Sequence, residues 1–166
     1  MTERQSEVSE TARLARQAVQ LGKDDALVLS MAGHALAYVV HDFNAGLLFI
    51  DHALALNPNL ARAWGASGWL RVWMGDPDTA IRHFAQFKRL SPLDITMPRN
   101  VSGSAFAHFL AGRYDEACSL AEQALQVSPN LHPALRVAAA ANARTGRIER
   151  ARDVMSRLRH IDPGSM

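Results

Sequence analysis

Gly112-Arg113-Tyr114-Asp115-Glu116-Ala117, followed by Ala121, Ala124 and Pro129, is the stretch on which the fold turns. A glycine here supplies the positive backbone dihedral that ends one helix, and a proline after the next helical run stops it by removing a donor and restricting the residue before it. Working outward, the pattern returns. Prolines that each follow an apolar helical run stand at Pro58, Pro92, Pro129 and Pro163, at intervals of 34, 37 and 34. Gly46, Ala80, Ala117 and Ala151 precede them by twelve positions and keep the same intervals. A second series of small residues, Gly33, Gly68, Ala105 and Ala139, runs at 35, 37 and 34. Gly75, Gly112 and Gly146 mark the break between two helices in the last three units, with His41 in that place in the first.

Two antiparallel helices approach closely only where side chains are small, so one small residue on each helix marks a crossing. Each unit is therefore a helical hairpin. Large apolar residues fill the space around the crossing: Phe43 and Ile50, Phe84 and Phe87, Tyr114 and Leu125, Ile148 and Met155. No single hairpin buries its apolar face alone, so neighbours must stack into a solenoid. The expected helices are 7–21, 26–39, 42–56, 60–74, 77–90, 98–111, 114–127, 131–145 and 148–160, with no strand.

The second unit carries Trp64, Ser67, Gly68, Gly75-Asp76, Ala80, Phe84 and Pro92; the fourth carries Ala138-Ala139, Gly146-Arg147-Ile148, Ala151, Met155 and Pro163. Over about residues 26 to 163 the chain resembles the tetratricopeptide repeat, with its W-x2-L-G-x2-Y, A-x3-F and P pattern. The resemblance implies an all-α fold, a right-handed α-α superhelix of about four such hairpins plus one N-terminal helix. Repeats then fall at about 26–60, 61–97, 98–131 and 132–165, in a single solenoid over 9–166. A half repeat at 9–25 and a flexible segment at 1–8 precede them. The open outer faces at both ends suggest a segment of a longer protein, or ends covered by another copy. Departures from the pattern are Arg71 in place of tyrosine, Phe87 in place of a small residue, one extra residue in the first helix of the first unit, and a longer connection at Pro92-Leu93-Asp94-Ile95-Thr96-Met97-Pro98. That connection is expected to be the main irregularity of the stack. The segments Trp64 to Met74, Leu90 to Asp94 and Phe106 to Ala117 are also similar to the C-terminal repeat region of bacterial multidomain regulators, in which repeats follow a class III adenylate or guanylate cyclase domain or a winged-helix domain. This implies a role in signalling or transcriptional regulation for the parent protein.

Composition is compatible with one folded domain, at 48% hydrophobic and 20% charged residues. Apolar runs break well before the roughly 18 to 20 residues that a membrane span needs, and Met1-Thr2-Glu3-Arg4 begins no apolar signal core. A cytoplasmic location is expected. Cys118, the only cysteine, sits among Ala117, Leu120 and Ala121, the setting of a buried inert thiol. The net charge of +2 is small, but from Leu131 onward seven arginines face three acidic residues. Arginines spread around a helix pair form a solvated face more often than a nucleic-acid surface.

Catalytic signatures are missing from this sequence. Its seven histidines include no pair at one-turn spacing and no His-Glu-x-x-His element. Gly65-Ala66-Ser67-Gly68 has no following Gly-Lys-Ser/Thr to hold phosphate, and Ser67 has no strand-to-helix elbow around it. The expectation is a scaffold that is not an enzyme and has no cofactor or metal. In the tetratricopeptide arrangement the first helix of each hairpin lines a concave groove, with inward residues three or four apart. That register nominates His34 and Tyr38; Arg62, Trp69 and Trp73; Arg99, Ser102, Phe106, Phe109 and Leu110; and Arg136, Ala140 and Arg144. The centre of this groove is aromatic, which suits an apolar peptide or protein segment, with Arg136 and Arg144 meeting acidic flanks. Some members of the repeat family clamp a peptide's terminal carboxylate with Lys, Asn and Arg. Ser30, His34, Ala66 and Gly103 stand at the corresponding places here, which disfavours that activity. Self-association into a homodimer is the alternative.

Overall fold

A computed structural model describes residues 3–162. Among them are nine helices and no strand: α1 (Glu3–Leu21), α2 (Ala26–Tyr38), α3 (Phe43–Leu56), α4 (Ala61–Trp73), α5 (Pro77–Leu90), α6 (Met97–Leu110), α7 (Tyr114–Val127), α8 (His132–Arg144) and α9 (Ile148–Ile161). The element order is the expected one, and α1 starts four residues ahead of residue 7. Residues 3–8 of the segment expected to be flexible are thus the first turns of α1, while residues 1 and 2 and the closing Pro163-Gly164 lie outside the described residues. No helix among those described is long and apolar enough to cross a membrane.

The hairpins are α2–α3, α4–α5, α6–α7 and α8–α9, with α1 packed on α2. Three of the four turns share one chemistry. Gly75, Gly112 and Gly146 take φ of 76°, 75° and 77°, and the next amide donates to the carbonyl five residues back: Asp76 to Arg71, Arg113 to His108, Arg147 to Asn142, each at 2.9 Å. Such a bond satisfies a carbonyl that the helix end leaves open. In the first hairpin His41 takes the left-handed conformation, φ 61°, and Asp42 N–H reaches Leu36 C=O instead, six residues back. The extra residue of this unit therefore lies in the turn and not in its first helix as expected; α2 and α4 both have 13 residues.

The crossings are where the small residues predict them. A Cβ on Gly33 would stand 2.6 Å from the Gly46 carbonyl oxygen, and one on Gly46 would stand 2.7 Å from the Gly33 carbonyl oxygen. In the second hairpin Gly68 admits the ring of Phe84 and Ala80 is buried, and Ala105, Ala117 and Ala139 are buried in the later ones. Around these points Leu36, Ile50, Leu70, Phe87 and Leu135 lose almost all solvent contact, each such burial contributing roughly 1.5–3 kcal/mol.

The two departures at Arg71 and Phe87 also have physical roles. Arg71 Nη2 reaches Asp51 of α3 at 3.3 Å and its Nη1 reaches Asp76 at 3.6 Å, so a cation ties the second hairpin to the first where a tyrosine ring would pack. Burial pushes the Asp51 carboxyl up, and Arg71 opposes that shift. Phe87 is core, 2% exposed. On the surface, Arg113 reaches back to Asp78 at 2.9 Å and Arg147 to Asp115, each cation next to a turn glycine bonding the second residue of the preceding hairpin's second helix. These exposed pairs contribute little energy but mark the same repeat geometry.

The connection from α5 to α6 is irregular as expected. Asp94 accepts from Thr96 N at 2.8 Å and from Thr96 Oγ1 at 2.6 Å, bonds that hold its carboxyl below the usual range. Leu93 and Ile95 on either side project into solvent, 96% and 95% exposed.

Candidate binding groove

The helices α2, α4, α6 and α8 pack on their next-but-one neighbours, whereas α3, α5, α7 and α9 do not approach one another backbone to backbone, α9 reaching α7 through the Arg150–Glu122 ion pair at 3.5 Å. The first helices thus form the inner wall. On the inner face of α2 and α4, His34 and Tyr38 stack at 5.7 Å with planes 10° apart. Trp73 lies 6.0 Å from Tyr38 and 6.0 Å from Trp69, and Phe106 of α6 closes the row 6.2 Å from Trp69. Arg99 of α6 spans this row, its guanidinium 5.7 Å from the Tyr38 ring centre and 5.8 Å from that of Trp69. A cation over two π-faces is held by their quadrupoles while its N–H groups stay available.

Below that row a cavity of about 340 Å³ opens between α2, α4, α6 and the α5–α6 connection. His34, Arg62, Trp69 and Arg99 line it as nominated from sequence, together with Ser30, Met31, Asp94, Ile95, Thr96 and Asn100, which the groove register did not nominate. Burial, then Arg99, then Arg62 push the His34 imidazole down, so it is held neutral. Asn100 fits because Gly65 has no side chain; a Cβ there would meet Asn100 Oδ1 at 2.8 Å.

Other nominated residues sit differently. Trp69 is not an exposed anchor: it is 8% exposed and belongs to a core cluster with Phe84 and Ala107. Its slot exists because Gly103 lies opposite, where a Cβ would come within 2.9 Å of the indole. Phe109 packs against the buried Ala117, Cys118 and Ala141 between the last two hairpins and against Tyr114 at 5.3 Å. Arg144 is engaged with Tyr114, over the ring at 4.9 Å and bonded to its hydroxyl at 2.9 Å. Ser102 is buried and donates to Arg99 C=O, so it offers nothing to a ligand. Leu110 and Arg136 are exposed and Ala140 half-buried, all away from the cavity lining. The nominated set therefore divides into a cluster on α2, α4 and α6 and a second group at α6 to α8. Cys118 is buried, and burial raises its thiol.

Residues 108–165 match the tetratricopeptide repeat family. Among curated proteins none matches the chain. Solved structures do. MamA from Desulfovibrio magneticus RS-1 superposes with a TM-score of 0.77 at 17% identity, over 98% of this chain and 89% of that one. MamA AMB-1 gives 0.74 at 21% identity, over 96% and 92%. PilW, described as a widely conserved type IV pilus biogenesis factor, gives 0.85 at 14% identity, over 98% and 74%. At such identities the likeness establishes architecture: this chain folds as a tetratricopeptide-like helical solenoid.

Proposed function

We propose that the chain is a non-catalytic scaffold that binds a protein or peptide segment in the concave groove. The observation that carries this reading is the inner surface of α2, α4 and α6. There Tyr38, 52% exposed, lies beneath the Arg99 guanidinium and beside Trp73, 37% exposed, and Arg99 itself lines the adjoining cavity. Partly exposed aromatics clustered with arginine are the side chains that dominate binding at interfaces. The tetratricopeptide repeat is an architecture widely used for such interactions, which supports the same reading. The ligand is an apolar segment with acidic residues, and its basic partners are Arg62 and Arg99 in place of the distant Arg136 and the engaged Arg144. A cytoplasmic place in a bacterial signalling or transcriptional regulator is supported by the sequence resemblance to repeat regions of such proteins. The test is retention of partners from cell lysate by the wild type and by Tyr38→Ala/Trp73→Ala, with melting temperatures measured for both. Loss of partners at unchanged stability supports the groove; equal retention overturns it.

A second reading, self-association, is favoured by Leu93 and Ile95, whose nearly full exposure on the α5–α6 connection is unusual for two large apolar residues. Analytical ultracentrifugation tests it: a dimer that persists on dilution and is lost in Leu93→Ser/Ile95→Ser supports this reading.

A further inference from the structure

The cavity beneath the aromatic row has a charge imbalance. Arg62 and Arg99 face one carboxylate, that of Asp94, and Asp94 already accepts from Thr96 and Ser91. Asp94 feels the Arg62 charge through space, but no ion pair to either guanidinium forms among the described residues, whereas Arg71, Arg113, Arg147 and Arg150 each have one. Arg62 and Arg99 also stand in the first turns of α4 and α6, where the helix dipoles favour negative charge. Ser30 and Trp69, residues of the same wall, keep Oγ and Nε1 sealed from solvent and without a hydrogen bond, so the complementarity of the cavity to negative charge is that of Arg62 and Arg99.

We propose that this cavity takes the side-chain carboxylate of an acidic residue inside the bound segment, held by Arg62 and Arg99. The inference rests on the groove reading and specifies what that groove recognises. Its geometry favours an internal residue over a chain end, because exposed apolar surface lies both within the lining, at Met31 and Ile95, and beyond Arg99, at Tyr38 and Trp73. A segment lying across α2, α4 and α6 sets an apolar residue on either side and drops its carboxylate between them. Arg99 joins the two parts, its guanidinium lying 5.7 Å from the Tyr38 ring centre and 5.8 Å from that of Trp69, and guanidinium is the group that carboxylates accept in a bidentate manner.

The test is selection of a random twelve-residue peptide library displayed with both ends blocked, using the intact chain as bait. Enriched peptides should carry Asp or Glu between apolar residues. Changing that residue to its amide should weaken binding to the wild type at least tenfold, and the ratio should collapse towards one in Arg62→Gln and in Arg99→Gln. Arg62 is exposed, and melting temperatures of both variants are taken alongside so that loss of the carboxylate preference is read separately from folding. Enrichment of wholly apolar peptides that bind Tyr38→Ala/Trp73→Ala poorly overturns the carboxylate inference and leaves the groove reading standing. Enrichment that the double variant retains in full overturns both. A dimer that excludes the selected peptide and dissolves in Arg62→Gln puts a second copy in the cavity and also overturns the proposal.

Discussion

Alanine at Gly33 should destabilise the protein although alanine is the better helix former. In an open helix, Gly to Ala returns about 1 kcal/mol. Here the new methyl carbon meets the Gly46 carbonyl oxygen at 2.6 Å and Ile50 Cγ1 at 2.9 Å, against an ordinary contact distance of 3.4 Å or more. The oxygen belongs to a rigid backbone, so α2 and α3 must part by roughly 0.8 Å at the crossing. A gap of about 0.5–1 Å forfeits a quarter to a half of each dispersion contact across it, and Leu29, Leu36, Ala37 and Ile50 all pack at this interface. Overpacking of this kind costs about 1–3 kcal/mol. With the helix preference subtracted, Gly33→Ala should lose up to about 2 kcal/mol, a fall of up to about 4–8 °C in melting temperature for a chain of this size. Gly46→Ala meets the same crossing from the other side, so the double variant should cost less than the two single changes added, because one opening serves both methyls. Thermal and urea melts followed by far-ultraviolet circular dichroism read these values. A melting temperature for Gly33→Ala equal to or above the wild type would refute the reasoning and move the crossing elsewhere.

Trp69→Ala should cost about 3–5 kcal/mol because it empties a core slot, whereas the half-open Trp73→Ala should cost distinctly less; comparable losses in urea melts would show that both rings are core. Acid should destabilise the fold before its carboxylates titrate. His34, His83 and His108 are all held below their ordinary value, with burial as the largest cause. The unfolded chain therefore binds protons first as pH falls below about 6.5, and stability that is complete above that pH is lost as it drops through the lower folded values. Melting temperature should decline from pH 7 towards 5, and His83→Gln should flatten the decline; a flat wild-type profile over that range contradicts it. Arg71→Ala, which removes the cation shared by Asp51 and Asp76, should cost roughly 1 kcal/mol after allowance for solvent screening. In the same variant the Asp51 carboxyl should titrate higher, as followed by nuclear magnetic resonance.

Most of the fold was legible because the repeat writes each turn and crossing in one residue. A residue able to take positive φ marks every hairpin turn, at His41, Gly75, Gly112 and Gly146, and a pair of small residues marks every crossing. What spacing could not place was the extra residue of the first unit. Thirteen helical residues plus a four-residue turn and fourteen plus three give the same interval between Gly33 and Gly46. The groove was half legible. Residues four apart share a helix face, so Trp69 and Trp73 were grouped correctly, but depth depends on the neighbouring helix. The decisive signal was Gly103, a gap on α6 that lets one indole sink and leaves the other at the surface. Arg144 was misjudged because its partner, Tyr114, comes from a turn thirty residues earlier. Asp94 and Thr96 were invisible to a register argument because they belong to the irregular connection and not to the repeat.

The inner helices α2, α4, α6 and α8 rest on one another, while α3, α5, α7 and α9 stand apart in their backbones and are bridged, between α7 and α9, by the exposed Arg150–Glu122 pair. Mechanically this is a bow whose inside edge is solid and whose outside edge is segmented. Curling it tighter compresses side chains already in van der Waals contact, so that direction is stiff. Straightening it parts only the thin seams α2 to α4, α4 to α6 and α6 to α8, so that direction is soft. A segment laid across α2, α4 and α6 acts as a string on the inside of the bow, resisting the one deformation the unloaded solenoid resists least. On the proposed reading, a segment in the groove braces the α2 to α4 and α4 to α6 seams and leaves α6 to α8 free, so a pull on the two ends of the stack is a load that it shares over those first two seams.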